Sequence, residues 1–597
     1  MFQKFSILDG RTRRRETTVS DPAQIPKAER LKKQSRFLRG TIPQELSQSS
    51  DHFGRDSTPI LKFHGIYEQD DRDARKRSSG RDKSYSFMVR TKVPGGKITA
   101  RQFLTELDLA ERYGNGTLRV TTRQGFQLHG VLKGGLKPVL RSVNEALMTT
   151  LGACGDVERN VMSCPAPHHD DRVHDRMQAT ADAISRHLLP QSRAYYELWL
   201  NGEQVSKQPV GPDVEPLYGD TYLPRKFKTG IALPEDNCID VYTQDIGLLA
   251  IVDRGELIGY NALVGGGMGT SPASKDTFPR LADPLAFVPY DEVLEVVTAI
   301  VKVQRDYGDR ANRRRARLKY VVHDWGVPRF KSEVEQYLGR QELEPPYPVE
   351  AYGYQDHLGW HPQGDGKFYW GIYLENGRIK DTAEMRLKTG LRRILERFHM
   401  PARLTPQQSI LLCDLESDWQ DEILSLLQGH GIRTQAQISH ARRYAMACPA
   451  LPTCGLAITE AERVMPSVVD ELEAEIAKLG LGAAKFTIRM TGCPNGCARP
   501  YTADIGLVGQ TVGKYKIFMG GNLVGTRLGF TYKELVPLDE VVAELRPLLV
   551  YYKSDACRGE SLGDFFDRKG LEDLLGFTAS YRQRHRQSAE TVGADPR

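Results

Sequence analysis

The sequence contains no run approaching the roughly 20 uncharged apolar residues that a membrane span needs. Its amino-terminal region also lacks an apolar core suited to a secretory signal, so export is not expected. Arg11, Arg13, Arg14 and Arg15 give this region a transit-peptide flavour, but Asp9, Glu16, Asp21 and Glu29 dilute it, and a basic, mobile arm on a cytoplasmic protein is the expectation. No dinucleotide fingerprint is visible either. The run from Gly265 to Gly269 has no following βα unit with a ribose-binding acid, so no dinucleotide site is expected. Charge of one sign is scarce: 82 basic residues face 76 acidic ones, which suits a basic patch on one face better than a nucleic-acid-binding body.

At 597 residues with 40% apolar content, the chain exceeds what one hydrophobic core serves, and two to four packed units are expected. The 9 cysteines are odd in number and unevenly spread, with four of them between Cys448 and Cys497. That distribution favours a reduced compartment and a metal site over a disulfide framework.

Two regions repeat an order of features. MVRTKV, a Pro-Gly-Gly turn into KIT, the helix-patterned FLTELDLAERYG and the alternating LRVTTRQGFQLHG are followed, some 280 residues on, by FYWGIYLENGRIKD with a turn at Asn376, MRLKTGLRRILERFH and ARLTPQQSILL. Hairpin, helix and strand in that order resemble half of a ferredoxin-like α+β unit. Downstream, RNVMSCPAP is echoed by YAMACPALP, and DIGLLAIVDRGELIGYNALVGGGMG by DIGLVGQTVGKYKIFMGGNLVG. A duplicated α+β architecture follows: an arm and wrapping segment over 1–80, half-domains at 81–150 and 346–430, larger α+β domains at 151–345 and 431–575, and a loosely ordered tail at 576–597. Two equivalent lobes would form a cleft, a common place for a large cofactor.

Cys448 and Cys454 flank the wide, proline-stiffened loop PALPT, while Cys493 and Cys497 sit in TGCPNGC. Four thiolates suit zinc or an iron–sulfur cube, but zinc knuckles are usually tighter, so the cube is the better guest. Pro494, Asn495 and Gly496 permit a turn whose N–H groups point at sulfur. The alternative is a zinc-stabilised binding protein, touching nucleic acid through the arm and the RRRAR run at Arg313, although the arm has little aromatic content for base stacking.

The paired cysteine motifs, with LRGTIPQEL, DDRDARKR and GNLVGTRLG, resemble the siroheme nitrite and sulfite reductase family over nearly the whole chain. The resemblance implies a [4Fe–4S] cluster on Cys448, Cys454, Cys493 and Cys497, with Cys497 also ligating siroheme iron. It places the substrate cations at Arg90, Arg159, Lys226 and Lys228, and siroheme contacts at Arg119, Thr121, Arg123, Gln127, His129, Arg317 and Asn495. Alternation puts the polar residues of LRVTTRQGFQLHG on one face and Leu118, Val120, Phe126 and Leu128 largely on the other; in the strand-like PRKFK it puts Lys226 and Lys228 together, with Arg225 and Phe227 pointing away. Some members carry a covalent Tyr–Cys bond, here Tyr67 with Cys154.

TYLPRKFK, MSCPAP and TFPRLADPLAFVP look more like the sulfite branch, with nitrite the alternative substrate. TFPRLADPL, SEVEQYLG and LGWHPQGDGKFYWG resemble ferredoxin-dependent enzymes more than the hemoprotein that docks on an NADPH flavoprotein. Six-electron reduction of sulfite to sulfide with reduced ferredoxin as donor is what the resemblance implies.

Overall fold

The computed structural model describes residues 25–77, 83–170, 172–192, 199–200, 203–204, 215–271, 274–340 and 342–592. The basic arm with Arg11 to Arg15 lies outside the described residues. Four five-stranded sheets carry the fold, in two matching pairs.

The first pair forms the ferredoxin-like halves. One sheet runs Ile66–Asp70, Tyr85–Thr91, Phe126–Val131, Leu118–Val120 and Arg378–Ile379; the other runs Gly359–Pro362, Phe368–Ile372, Ile410–Leu415, Ala402–Leu404 and Lys97–Ile98. The hairpins expected at the Pro-Gly-Gly and Asn-Gly turns do not close on themselves. Each turn instead sends its short following strand into the opposite half, so Ile98 pairs with Ala402 and Ile379 with Leu118. The exchange satisfies a sheet edge in each half that would otherwise be open. It also merges both halves into one core, where Phe103, Phe126 and Leu128 share a cluster with Leu391, Leu395 and Ile410. Helix Ala100–Arg112 starts at Thr99 through a capping box with Gln102. LRVTTRQGFQLHG is not one strand: Thr121 to Gly125 form a turn, with Gln124 at φ 51°, between two paired strands.

The second pair has equivalent order. Met162–Ser163, Thr229–Ala232 and Ile246–Asp253 pair in parallel, then Glu256–Val264 and Asp283–Pro289 add antiparallel; Ala445–Ala447, Ile488–Thr491, Ile505–Thr511, Lys514–Met519 and Phe530–Pro537 repeat the plan. Each sheet has its own core. Of the tail expected to be loosely ordered, the part after Phe577 up to Val592 continues the helix Leu562–Val592, bent at Gly570, and 593–597 lie outside the described residues. Phe577 stacks on Tyr551, and Tyr532 hydrogen bonds Thr578, which gives part of this polar segment an apolar seat. No helix among the described residues is long and apolar enough to cross a membrane.

Candidate active site

Strand register assembles one wall of the site. Arg90 lies opposite Gln127, Gln127 opposite Arg119, and Arg119 opposite Arg378, so four polar side chains form a row across four strands. Leu118, Val120, Phe126 and Leu128 enter the core on the other side. The Gln127 carbonyl accepts from Arg90, with Nε at 3.1 Å. Arg90 Nη1 donates to Cys154 Sγ at 2.7 Å, and its guanidinium stands 5.8 Å from the centre of the Tyr67 ring. Tyr67 also meets Cys154, and burial and the Cys154 sulfur push its phenol up to about 12.

The row reaches the cluster loops. Arg119 pairs with Glu462 and donates to Ala447 O at 2.8 Å, one residue before Cys448, while Arg378 bridges the same carboxylate at 2.6 and 2.9 Å. Arg119 is thus committed to protein partners. Arg123 binds Gln244 Oε1 at 2.7 Å and the carbonyls of Asn160 and Thr229. Thr121 closes the turn by accepting from the N–H groups of Arg123 and Gly125, both at 3.2 Å.

Lys226 and Lys228 flank buried Phe227 in an extended segment that bridges to Glu158, short of a regular strand. Burial, reinforced by Arg225, Arg159 and Arg317, lowers Lys226 well below the ordinary lysine range, and burial with Arg123, Lys226 and Arg317 does the same to Lys228. Cys497 opposes both shifts, which places both lysines within electrostatic reach of that sulfur. Arg159 hydrogen bonds Tyr67 and reaches Gly155 O at 3.2 Å. Arg225 lies 4.0 Å from Asp156 and adds its positive charge to the field at Lys226. The RRRAR run is not a free basic face, since Arg313 pairs with Asp156, Arg315 with Asp324 and Arg317 bidentately with Asp245.

The Cys493–Cys497 loop meets the first repeat at a Gly-rich loop and at the 121–125 turn. Thr270 N donates to Pro494 O at 2.9 Å, and Thr122 Oγ1 to Cys497 O at 3.0 Å. A Cβ on Gly266 would come within 2.2 Å of Tyr242 O, so only glycine lets the loop pass there. Lys319 holds the loop by donating to Gly267 O at 3.1 Å and Gly269 O at 2.8 Å, and burial beside Arg317 lowers it to about 7. Gly492 N donates to Cys448 Sγ at 3.4 Å and Asn495 Nδ2 to Cys493 Sγ at 3.3 Å. Burial and the other three sulfurs push Cys448 up; burial and Cys497 push Cys493 up to about 11.

These residues fit the two groups that the resemblance implies. The four thiols feel one another's charge, yet among the described residues the one set of metal-type donors with all ligand atoms within 4.8 Å of one another lies elsewhere. Four cysteines from two loops are the donor set that an iron–sulfur cube takes. His129 Nε2 and Arg123 Nε are buried without a hydrogen-bond partner, as a wall awaiting acceptor oxygens would leave them. Burial and Arg378, Arg119 and Arg90 keep His129 neutral. Sequence reasoning missed Lys62, Gln244 and Lys319. Lys62 is a half-buried cation at the start of the 3-10 turn Lys62–His64, near Arg313, Arg225 and Arg159, and nothing in the local pattern distinguishes it from a surface lysine.

The family model of the nitrite and sulphite reductase 4Fe-4S domain matches residues 179–342 and 439–583, and that of the nitrite/sulfite reductase ferredoxin-like half domain matches 79–146 and 361–430. A protein named sulfite reductase [ferredoxin] from Synechococcus elongatus is 46% identical, over 96% of this chain and 94% of its own length. One named sulfite reductase [NADPH] hemoprotein beta-component from Staphylococcus saprophyticus is 44% identical, over 93% and 98%. The solved structure of Mycobacterium tuberculosis NirA protein superposes with a TM-score of 0.76 at 26% identity, over 92% and 97%. The zinc-stabilised binding module is thereby set aside. The chain belongs to the nitrite and sulfite reductase family, oxidoreductases that carry siroheme and a [4Fe–4S] cluster.

Proposed function

We propose that this enzyme reduces sulfite to sulfide with six electrons from reduced ferredoxin. The observation that carries the reading is that Lys226, with Arg159 near it, and Lys228 both lie within electrostatic reach of Cys497. Cys448, Cys454, Cys493 and Cys497 would hold the cluster, Cys497 would also hold siroheme iron, and Arg123, Gln127, His129 and Asn495 would line the macrocycle; Thr121 and Arg317 act by shaping the wall. Siroheme coupled to the cluster would supply the electrons to an anion bound beside it.

The chain's own residues bind that anion and deliver protons. One cation about 4 Å from one negative charge is worth on the order of 4 kcal/mol at an effective dielectric near 20, before desolvation, so several cations favour sulfite over neutral sulfur species. Arg90 and Arg159 can hold oxygens with their planar forks, while the lysines, already inclined to lose a proton, can pass one to an oxygen leaving as water. Arg90 and Arg159 also press on Tyr67 and Cys154, whose contact supports the covalent Tyr–Cys link implied by the resemblance.

Sulfite is favoured over nitrite by the names of the relatives. For the donor, a net charge of +6 suits an acidic ferredoxin. A second reading, a hemoprotein fed by an NADPH flavoprotein, is supported by relatives of that name at similar identity. Sulfite and nitrite turnover measured with reduced ferredoxin at rising salt, and with NADPH plus a flavoprotein subunit, separates them: ferredoxin-driven, salt-sensitive sulfite reduction is expected, and flavoprotein-dependent turnover alone would overturn the donor assignment.

A further inference from the structure

A second set of metal-type side chains stands outside the machinery just described. Cys164 directly follows the strand Met162–Ser163, Asp236 and Cys238 lie in the loop after Thr229–Ala232, and His357 belongs to the segment leading into Gly359–Pro362. Their exposures are 3%, 4%, 0% and 6%, and one ligand atom from each falls within 4.8 Å of all the others. Cys164 Sγ is 2.8 Å from Asp236 Oδ2, and His357 Nε2 is 2.9 Å from the same oxygen. The other oxygen, Oδ1, accepts from Cys238 N at 3.2 Å and Gln355 N at 3.1 Å, so backbone amides fix the carboxylate from behind.

We propose that Cys164, Asp236, Cys238 and His357 bind one structural zinc ion. Two sulfurs, one imidazole nitrogen and one carboxylate oxygen make a complete tetrahedral set of the kind zinc accepts, and the two thiolates disfavour magnesium and calcium. With Zn–S near 2.3 Å and Zn–O near 2.0 Å, neighbouring ligands stand about 3.5 Å apart, so the present contacts need open by less than about 1 Å. Binding leaves two thiolates, one carboxylate and a neutral imidazole as the ligands, and the protons these side chains held pass to solvent. Burial on all sides leaves no open coordination position for substrate, which makes the ion a staple and not a second catalytic centre.

The staple joins distant parts of the chain, since Cys164 and Asp236 are 72 residues apart and Asp236 and His357 are 121 apart. It ties the segment between the two repeats to the first large sheet, two residues from Asp240, whose pairing with Arg489 and Arg499 secures the cluster loop.

The test is metal analysis of holoenzyme purified without chelator from zinc-supplemented cells, with full iron and siroheme content. About one zinc per chain is expected, with two sulfur and two nitrogen or oxygen neighbours in zinc K-edge absorption. The double variant Cys238→Ser, His357→Ala is expected to lose the zinc while keeping iron. Zinc below about a tenth per chain, even after incubation with zinc chloride, would overturn the proposal. So would a four-sulfur zinc spectrum, which places the ion on the cluster cysteines, or a Cys164–Cys238 disulfide in the non-reduced peptide map. All three readouts use the unmutated enzyme and do not depend on its electron donor or preferred anion.

Discussion

Asp240 and Arg499 occupy the same place in the two repeats and pair with each other. Each is a left-handed residue, at φ 53° and 54°, heading a 3-10 turn that runs into Asp-Ile-Gly. The pairing is buried, and Asp240 also binds Arg489 at 2.8 Å. Arg499 then donates to Thr122 O at 3.0 Å, and Thr122 to Cys497 O at 3.0 Å.

Asp240→Asn should therefore leave two buried guanidinium groups without their shared anion. A cost of about 3–5 kcal/mol is expected, the range for breaking a buried ion pair, together with lower iron per chain because the Cys497 loop loses its anchor. Denaturant unfolding and iron and acid-labile sulfide analysis check both. A variant as stable and as iron-rich as the parent would remove this pair from the cofactor scaffold.

Lys228→Met should reduce sulfite turnover by about 100-fold or more with siroheme content nearly unchanged, since the residue is proposed to donate protons and not to hold the macrocycle. Burial with Arg123, Lys226 and Arg317 lowers the Lys228 pKa against the pull of Cys497. The cation is present below that lowered value and lost above it, so sulfite kcat/KM should fall with rising pH well before the ordinary lysine value of 10.5. A profile flat through the alkaline range would contradict this.

A Tyr67–Cys154 link would remove one hydrogen from each residue, both passed to an oxidant such as dioxygen during maturation. Peptide mapping should then show a joined Tyr67–Cys154 peptide about two hydrogen masses lighter than its parts. Unlinked peptides in full yield from aerobically matured enzyme would dismiss the bond.

Glu106, on the inner face of helix Ala100–Arg112, is fully buried, and burial raises it to about 7 against a hydrogen bond from Thr91. Between the unfolded value of 4.5 and about 7 the folded state holds this proton more tightly, so stability from this group falls as pH rises through that window. Glu106→Gln should thus melt above the parent at pH 8, with a smaller advantage at pH 5. Parallel melting curves across that range would argue against the shift.

Periodicity and turn residues made the duplication legible, because each repeat encodes its own strands, turns and apolar faces locally. The polar face carrying Gln127 and His129 was legible for the same reason: side-chain direction alternates along a strand. Which strand the Lys97–Ile98 segment joins was not, since its partner Ala402 lies in the other repeat and two residues carry no pairing preference.

The sequence by itself determined the repeats, the cysteine loops and the chemical character of the site, because spacing and composition are written along the chain. Only the tertiary structure decided that Arg119 serves Glu462, that Asp240 meets Arg499, and that Cys164, Cys238 and His357 gather around Asp236. Contacts between residues so far apart depend on how sheets exchange edges and stack, and no local pattern specifies them.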